Sequence, residues 1–380
     1  MPDARSYLDH AASAPMRAEA AAAFAAEAGQ PGNPSSLHAS GRRARRVLEE
    51  ARESIAADLG AAPPEVIFTS GGTEADNIAV RGSWIARRAQ ANRMIISATE
   101  HPAVAASAAA CAAEGAELIV AGVDADGRID PDEIGRALRV PTAVLSVHWA
   151  NNETGALQPV SALAAAARQA GAWSHSDAVQ AVKTQPVDFR ASGLDLLSAT
   201  AHKIGGPVGI GVLLARKELA PAALGHGGGQ ERDVRSGTLA AALAASFAAA
   251  LRVTVAERDR EAARLGALKD RVVAAVAALP GTAINGEPGS PAIVNVEFSG
   301  TRASDLLLLL DAAGIDASSG SACSAGVSRP SSVLLAMGRD DDAASAALRF
   351  SFGSTTTDGD VDRLVAALPA ALDQARAAFG

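Results

Sequence analysis

Apolar positions recur along this chain in two alternating patterns. Runs of four or five mostly apolar residues, the length of a strand buried on both faces, fall at 65–69, 93–97, 118–121, 143–147 and 211–215. Alanine-rich stretches of helical period lie between them: 16–29, 41–59, from near Ala75, from Ala103, from near Pro131, and 160–170. Gly60 and Gly171 stop two of these helices. Regular alternation of strand and helix predicts an α/β fold, a mostly parallel sheet with right-handed crossovers and flanking helices. In such sheets ligands sit at the carboxyl ends of the strands. Gly72-Thr73, His101, Asn152, Asp177 and Gln180 all stand at those ends, and this common placement carries more weight than any one cluster.

Past residue 225 the pattern changes. A glycine-rich charged loop over 225–238 leads to two predicted helices, 239–257 and 258–279, the second broken by Pro280-Gly281. A strand over 293–298 alternates as if one face were wet, and a leucine-rich helix follows over 303–313. A short strand at 315–318 precedes a polar loop, 319–332, that holds Cys323. A strand at 347–352 and a helix at 358–379 complete the chain. These changes predict three parts: an arm over 1–15, a large domain over 16–257 and a smaller α+β domain over 258–380. No internal repeat is present.

Lys203 lies in Ser198-Ala199-Thr200-Ala201-His202-Lys203-Ile204-Gly205-Gly206, with apolar residues before it and a strand-like run after it. Burial between two strands lowers a lysine pKa and frees a nucleophilic amine of the kind that forms Schiff bases. A lysine at a strand end with its ammonium in water is the plainer alternative. Another marked stretch is Phe68-Thr69-Ser70-Gly71-Gly72-Thr73-Glu74, where a strand, a glycine turn and a helix start make a ready anion site. An ordinary βα turn would look similar.

Composition narrows the choice. With 380 residues, 48% hydrophobic and 20% charged, the chain can bury a large core. A net charge of −8 argues against a nucleic-acid scaffold. Two cysteines, Cys111 and Cys323, cannot make a disulfide framework and suggest a reducing compartment. Cys111 sits among alanines and reads as a small buried apolar side chain. The first residues lack the apolar core of a signal peptide, and the run Leu306 to Leu310 stops at Asp311, so a soluble cytoplasmic protein is expected. An aldehyde cofactor such as pyridoxal phosphate needs an amine, a carboxylate for its ring nitrogen, a phosphate cradle and a planar stacking group. Lys203, Asp177, Gly72-Thr73 and His101 offer one of each.

From Tyr7 to about Gly353 the chain resembles the cysteine desulfurases, NifS/IscS-like members of the class V aminotransferase family with the fold-type I architecture of pyridoxal phosphate enzymes. Besides the stretches above, the resemblance rests on Gly32-Asn33-Pro34-Ser35-Ser36, Glu100-His101-Pro102-Ala103-Val104, Ala150-Asn151-Asn152-Glu153-Thr154-Gly155 and Asp177-Ala178-Val179-Gln180. It continues in His226-Gly227-Gly228-Gly229-Gln230-Glu231, Arg235-Ser236-Gly237-Thr238 and Ser318-Ser319-Gly320-Ser321-Ala322-Cys323. It implies that Lys203 holds pyridoxal 5'-phosphate covalently and moves the substrate proton. Asp177 would pair with the ring nitrogen, His101 would stack on the ring, and Gln180 would reach its phenolic oxygen. Thr73, Thr200 and His202 would bind the phosphate, with Gly72 permitting close approach. Thr238 would reach the phosphate of a neighbouring subunit, implying a homodimer. Arg349 and Asn152 would hold the substrate carboxylate. Cys323 would take sulfur from L-cysteine as a persulfide and release L-alanine. No metal is implied.

The resemblance also implies sulfur delivery to an acceptor protein, an iron–sulfur scaffold or a tRNA-thiolating enzyme. The chain ends at Phe379-Gly380 without the tail that scaffold-docking relatives often carry, so either acceptor is expected. Its opening Leu8-Asp9-His10-Ala11-Ala12-Ser13 lacks a second threonine usual there, a minor departure. Selenocysteine lyase, another class V lyase or an aminotransferase is the alternative on the same apparatus; desulfuration needs the Cys323 thiol and the others do not.

Overall fold

The chain enters through β1 (Ser6–Tyr7) and then builds a seven-stranded sheet, as seen in a computed structural model that describes residues 5–320 and 330–379. Its strands are β2 (Val66–Thr69), β3 (Arg93–Ser97), β4 (Glu117–Ala121), β5 (Thr142–Ser146), β6 (Trp173–Asp177), β7 (Leu196–Thr200) and β8 (Gly211–Ala215). They lie in the order β2-β8-β7-β6-β5-β3-β4, and only β8 runs against its neighbours. Every residue of β2, β5, β7 and β8 is buried, which is why these strands read as continuous or near-continuous apolar runs.

Strand β6 carries no apolar run, and periodicity does not reveal it. Its Ser174, His175, Ser176 and Asp177 are all buried. Hydrogen bonds make this possible: Ser174 Oγ donates to Asp195 Oδ2 at 3.0 Å, and the His175 ring lies 2.8 Å from Ser146 Oγ and 2.9 Å from Ser198 Oγ. At the other side of the sheet Gly211 opens β8. A Cβ there would stand 2.7 Å from the carbonyl carbon of Gly71, so the turn after β2 packs on β8 only because that side chain is missing.

Beyond the sheet, β9 (Thr282–Asn285), β10 (Ile293–Phe298), β11 (Ile315–Asp316) and β12 (Ala347–Ser351) form the second half of the molecule. β12, β10 and β9 make an antiparallel sheet in that order, and β11 pairs in parallel with β1. The short strand β9 and the helices Ser332–Ala336 and Asp341–Ser345 have no counterpart in the sequence expectations. The two helices expected over 239–257 and 258–279 are one, Ala241–Ala277, of 37 residues. The charged run at 257–261 looks like a break but is a solvated helical face, bridged by Arg260–Glu257 at 2.9 Å and Arg264–Glu261 at 2.8 Å. The first part of this helix packs Ala244, Phe247 and Leu251 into the core of the large sheet. Its last part packs Leu265, Leu268 and Val272 against β10, β12 and the helix Asp358–Phe379. Among the described residues no helix is long and apolar enough to cross a membrane.

The glycine-rich loop is clamped to the sheet by one carboxylate. Glu231 receives both terminal nitrogens of Arg52 at 2.9 and 2.6 Å and the backbone N–H of Phe68 at 2.7 Å, all buried. The clamp holds Glu231, Arg232 and Asp233 at positive φ, a conformation that costs energy in residues with side chains. Glu231→Ala removes the buried carboxylate from the Arg52 guanidinium, leaving it with the partly exposed Glu49 at 3.1 Å, and is expected to destabilise the fold by about 3 kcal/mol, read as a lowered urea midpoint.

Candidate active site

A cavity of about 400 Å³ opens where β2, β6 and β7 end. The turn after β2 supplies Gly72 and Thr73, at the start of a helix that runs on through a π turn. The loop after β3 supplies His101, the loop after β5 His148 and Asn152, and β6 itself Asp177, followed by Gln180. The tight turn between β7 and β8 supplies Thr200, His202 and Lys203. The remaining wall comes from Arg349 on β12, Ser318 and Gly320 beyond β11, and Ala11 and Ala12 of the N-terminal arm. Of the residues singled out in the sequence, Thr238 is exposed and does not line this cavity, and Cys323 lies outside the described residues.

Lys203 is inside, not in bulk water. Its Nζ donates to the carbonyls of Ala11 and Ala12, both at 2.7 Å. Burial first, then the Arg349 guanidinium, pushes its pKa down to about 8, against the opposing pull of Asp177 and Asp9. Gln180 donates from Nε2 to the same Ala11 carbonyl at 2.8 Å, so the arm is tied to both residues. His202 is pushed down to about 4, by burial and then by Lys203, and is therefore a neutral hydrogen-bonding ring at pH 7. The Thr200 hydroxyl donates to Ile210 O at 3.1 Å, which leaves its oxygen as an acceptor. His101 caps the helix Pro102–Ala113, its Nδ1 accepting from Ala103 N at 3.1 Å, so the proton of the neutral ring is on Nε2. Capping and a place in the cavity are compatible here.

Arg349 is 4% exposed and held on two sides. Nη1 donates to Asn152 O at 2.8 Å, Nη2 to Asp9 Oδ1 at 2.6 Å, and Nε has no partner. Its backbone pairs with Ser318 in both directions, at 3.1 and 2.6 Å. Three roles went unassigned in the sequence. Asp9 was visible only as part of a motif, because its partner is 340 residues away. Asp76 follows Thr73 by three positions, so both project from one face of their helix; that spacing was the available signal. His148, also unassigned, is buried with its ring Nδ1 3.2 Å from Glu100 Oε1.

The class V aminotransferase model matches residues 6–364. The chain belongs to the class V aminotransferase family. Among curated relatives, an IscS-like cysteine desulfurase of Mycobacterium tuberculosis is 45% identical, over 98% of this chain and 97% of its own length. Among solved structures, a NifS-like protein superimposes with TM-score 0.89 at 29% identity, covering 97% of this chain and 99% of its own. Another, SspA in complex with cysteine, gives TM-score 0.81 at 27% identity, over 93% of this chain and 100% of its own.

Class V aminotransferases of this kind work with pyridoxal phosphate, and the cavity fits it. Gly72 keeps the helix start open: a Cβ there would lie 3.1 Å from Val179 Cγ2. Two buried carboxyl groups, Asp76 and Asp177, face the cavity, one oxygen of Asp76 having no hydrogen-bond partner. An amine, an anion-binding turn and a buried acid for a ring nitrogen thus share one space of suitable volume.

Proposed function

We propose that the chain is a pyridoxal phosphate-dependent cysteine desulfurase that converts L-cysteine to L-alanine and leaves a persulfide on Cys323. The observation that supports it best is the Lys203 amine, with its lowered pKa, in one cavity with Asp177, Thr73 and Arg349. The near full-length relatedness to an IscS-like cysteine desulfurase supports the same reading.

In this reading Lys203 would hold the cofactor covalently, and its amine would carry the substrate Cα proton. Asp177 would hold the ring nitrogen, His101 would stack on the ring and Gln180 would reach the phenolic oxygen; Gly72, Thr73 and His202 would hold the phosphate, joined by Thr200 once its hydroxyl turns from Ile210 O. The bound cofactor supplies an electron sink for the substrate carbon. Arg349 and Asn152 hold the substrate carboxylate, with the free Nε–H of Arg349 as the unused donor. The Cys323 thiolate attacks the substrate sulfur. An S–S bond forms, the C–S bonding pair stays with carbon, and protonation of that carbon gives the methyl group of alanine. Cys323 follows the cavity-lining Gly320 by three positions in the sequence. Ser331 donates to Glu153 Oε2 at 2.6 Å, next to Asn152.

The same reading makes the protein a cytoplasmic homodimer in which Thr238 serves the neighbour's phosphate. It divides the chain at 15 and 257, and it passes sulfur to an iron–sulfur scaffold or a tRNA-thiolating enzyme. Loaded enzyme given L-cysteine and a thiol reductant is expected to yield alanine and sulfide in equal amounts; alanine without sulfide would exclude the function. Arg349→Lys replaces a planar fork by a point charge. It is expected to raise KM for L-cysteine by about 10–100-fold, with cofactor absorbance unchanged, checked by steady-state kinetics beside a cofactor titration.

A further inference from the structure

Asp76 is 1% exposed and lines the cavity from the helix that begins at Gly72. Carboxyl oxygens of Asp76 and Asp177 and a ring nitrogen of His101 lie within 4.8 Å of one another. The titratable groups facing Asp76 are Asp177 and His175 from β6, and Glu100 and His101 from the loop after β3. None is a fixed cation. His175 is fully buried, and burial pushes its pKa down to about 3, so it offers no positive charge to compensate an acid 3.7 Å away. Two carboxylates this close, without a cation between them, do not both ionise. The pair differs in surroundings. Asp177 accepts the backbone N–H of Val179 at 2.8 Å, whereas Asp76 Oδ1 has no hydrogen-bond partner among the described residues.

We propose that Asp76 is a positioning residue that holds a proton, so that the two acids at the ring end of the cavity do not repel each other as a pair of carboxylates. Ser198 Oγ lies 2.9 Å from His175 Nε2, and His175 Nδ1 lies 2.8 Å from Ser146 Oγ. His175 thus spends both ring nitrogens on hydroxyls of the neighbouring strands, Ser146 on β5 and Ser198 on β7, and not on the Asp76 carboxyl. Burial and the Asp177 charge both act in the same direction, raising the Asp76 pKa.

The role of Asp76 toward the cofactor rests on Asp177 being the ring-nitrogen partner; the protonation itself does not, and it is measured without cofactor or substrate. Infrared spectra of cofactor-free protein labelled with carboxyl-¹³C aspartate are expected to show the C=O stretch of a protonated, buried acid at neutral pH. Asp76→Asn should remove that band. If Asp76→Asn does not fold, Asp177→Asn is expected to keep the band, because burial is the leading cause that favours the protonated Asp76; its loss there would overturn the assignment. In loaded protein Asp76→Ala is expected to weaken cofactor binding about tenfold, and Asp76→Asn, also a neutral donor, to restore most of that. Absence of the band at neutral pH in the wild type, or an Asp76→Asn variant that binds cofactor as weakly as Asp76→Ala, would overturn the proposal.

Discussion

Lys203→Ala is expected to give a folded protein that forms no covalent link to pyridoxal phosphate and makes no alanine from L-cysteine. Two functions leave with one side chain: the amine that joins the cofactor and the base that moves the Cα proton. The second alone is commonly worth about 10²–10⁴-fold in rate, so the combined loss should exceed about 10³-fold. Borohydride reduction followed by denaturation checks it: the wild-type chain keeps the cofactor absorbance and the variant does not. The fold should survive, because among the described residues Lys203 Nζ bonds to the Ala11 and Ala12 carbonyls at the cavity wall. The pH dependence follows from the pKa of about 8. Only the neutral amine attacks an aldehyde, so covalent capture by cofactor-free wild-type protein should accelerate as pH rises through about 8 and then level off.

Cys323→Ser is expected to separate cofactor binding from sulfur chemistry. The variant should bind pyridoxal phosphate and L-cysteine with wild-type absorbance changes, yet release alanine at least about 10³-fold more slowly, because a serine hydroxyl is a far weaker nucleophile than a thiolate. Parallel alanine and sulfide assays check this. Cys111 cannot substitute. It is buried in the helix Pro102–Ala113 among Val104, Ala108 and Ala143, and burial pushes its thiol up to about 11. Full turnover by the serine variant would place the nucleophile elsewhere.

Legibility in the sequence followed burial. Strands buried on both faces, such as β2 and β8, stood out because nothing polar interrupts them. β6 did not, since its buried face is serine, histidine and aspartate made tolerable by partners on β5 and β7, which no local window contains. The helix Ala241–Ala277 was split because local charge resembles a loop until the i,i+3 pairing is known. The site divides in the same way. Gly72, Thr73, His101, Asp177 and Lys203 sit at strand ends, where the α/β plan already points, and the structure brings them into one cavity. Asp9 and the Ala11 and Ala12 carbonyls could not be found so, because they reach Arg349 and Lys203 only when the arm crosses from β1 to the large sheet. Asp76 was hidden by its ordinary surroundings on a helix, and its closeness to Asp177 depends on how that helix docks over β6.

Intact-protein and peptide mass spectrometry after one equivalent of L-cysteine, without reductant, bears most directly on a cavity that frees sulfur for a nearby thiolate. The expected result is one additional sulfur atom on the peptide containing Cys323 and one alanine released per chain, both absent in Lys203→Ala. Alanine formed in full while Cys323 stays unmodified, or sulfur carried on Cys111 instead, would contradict it.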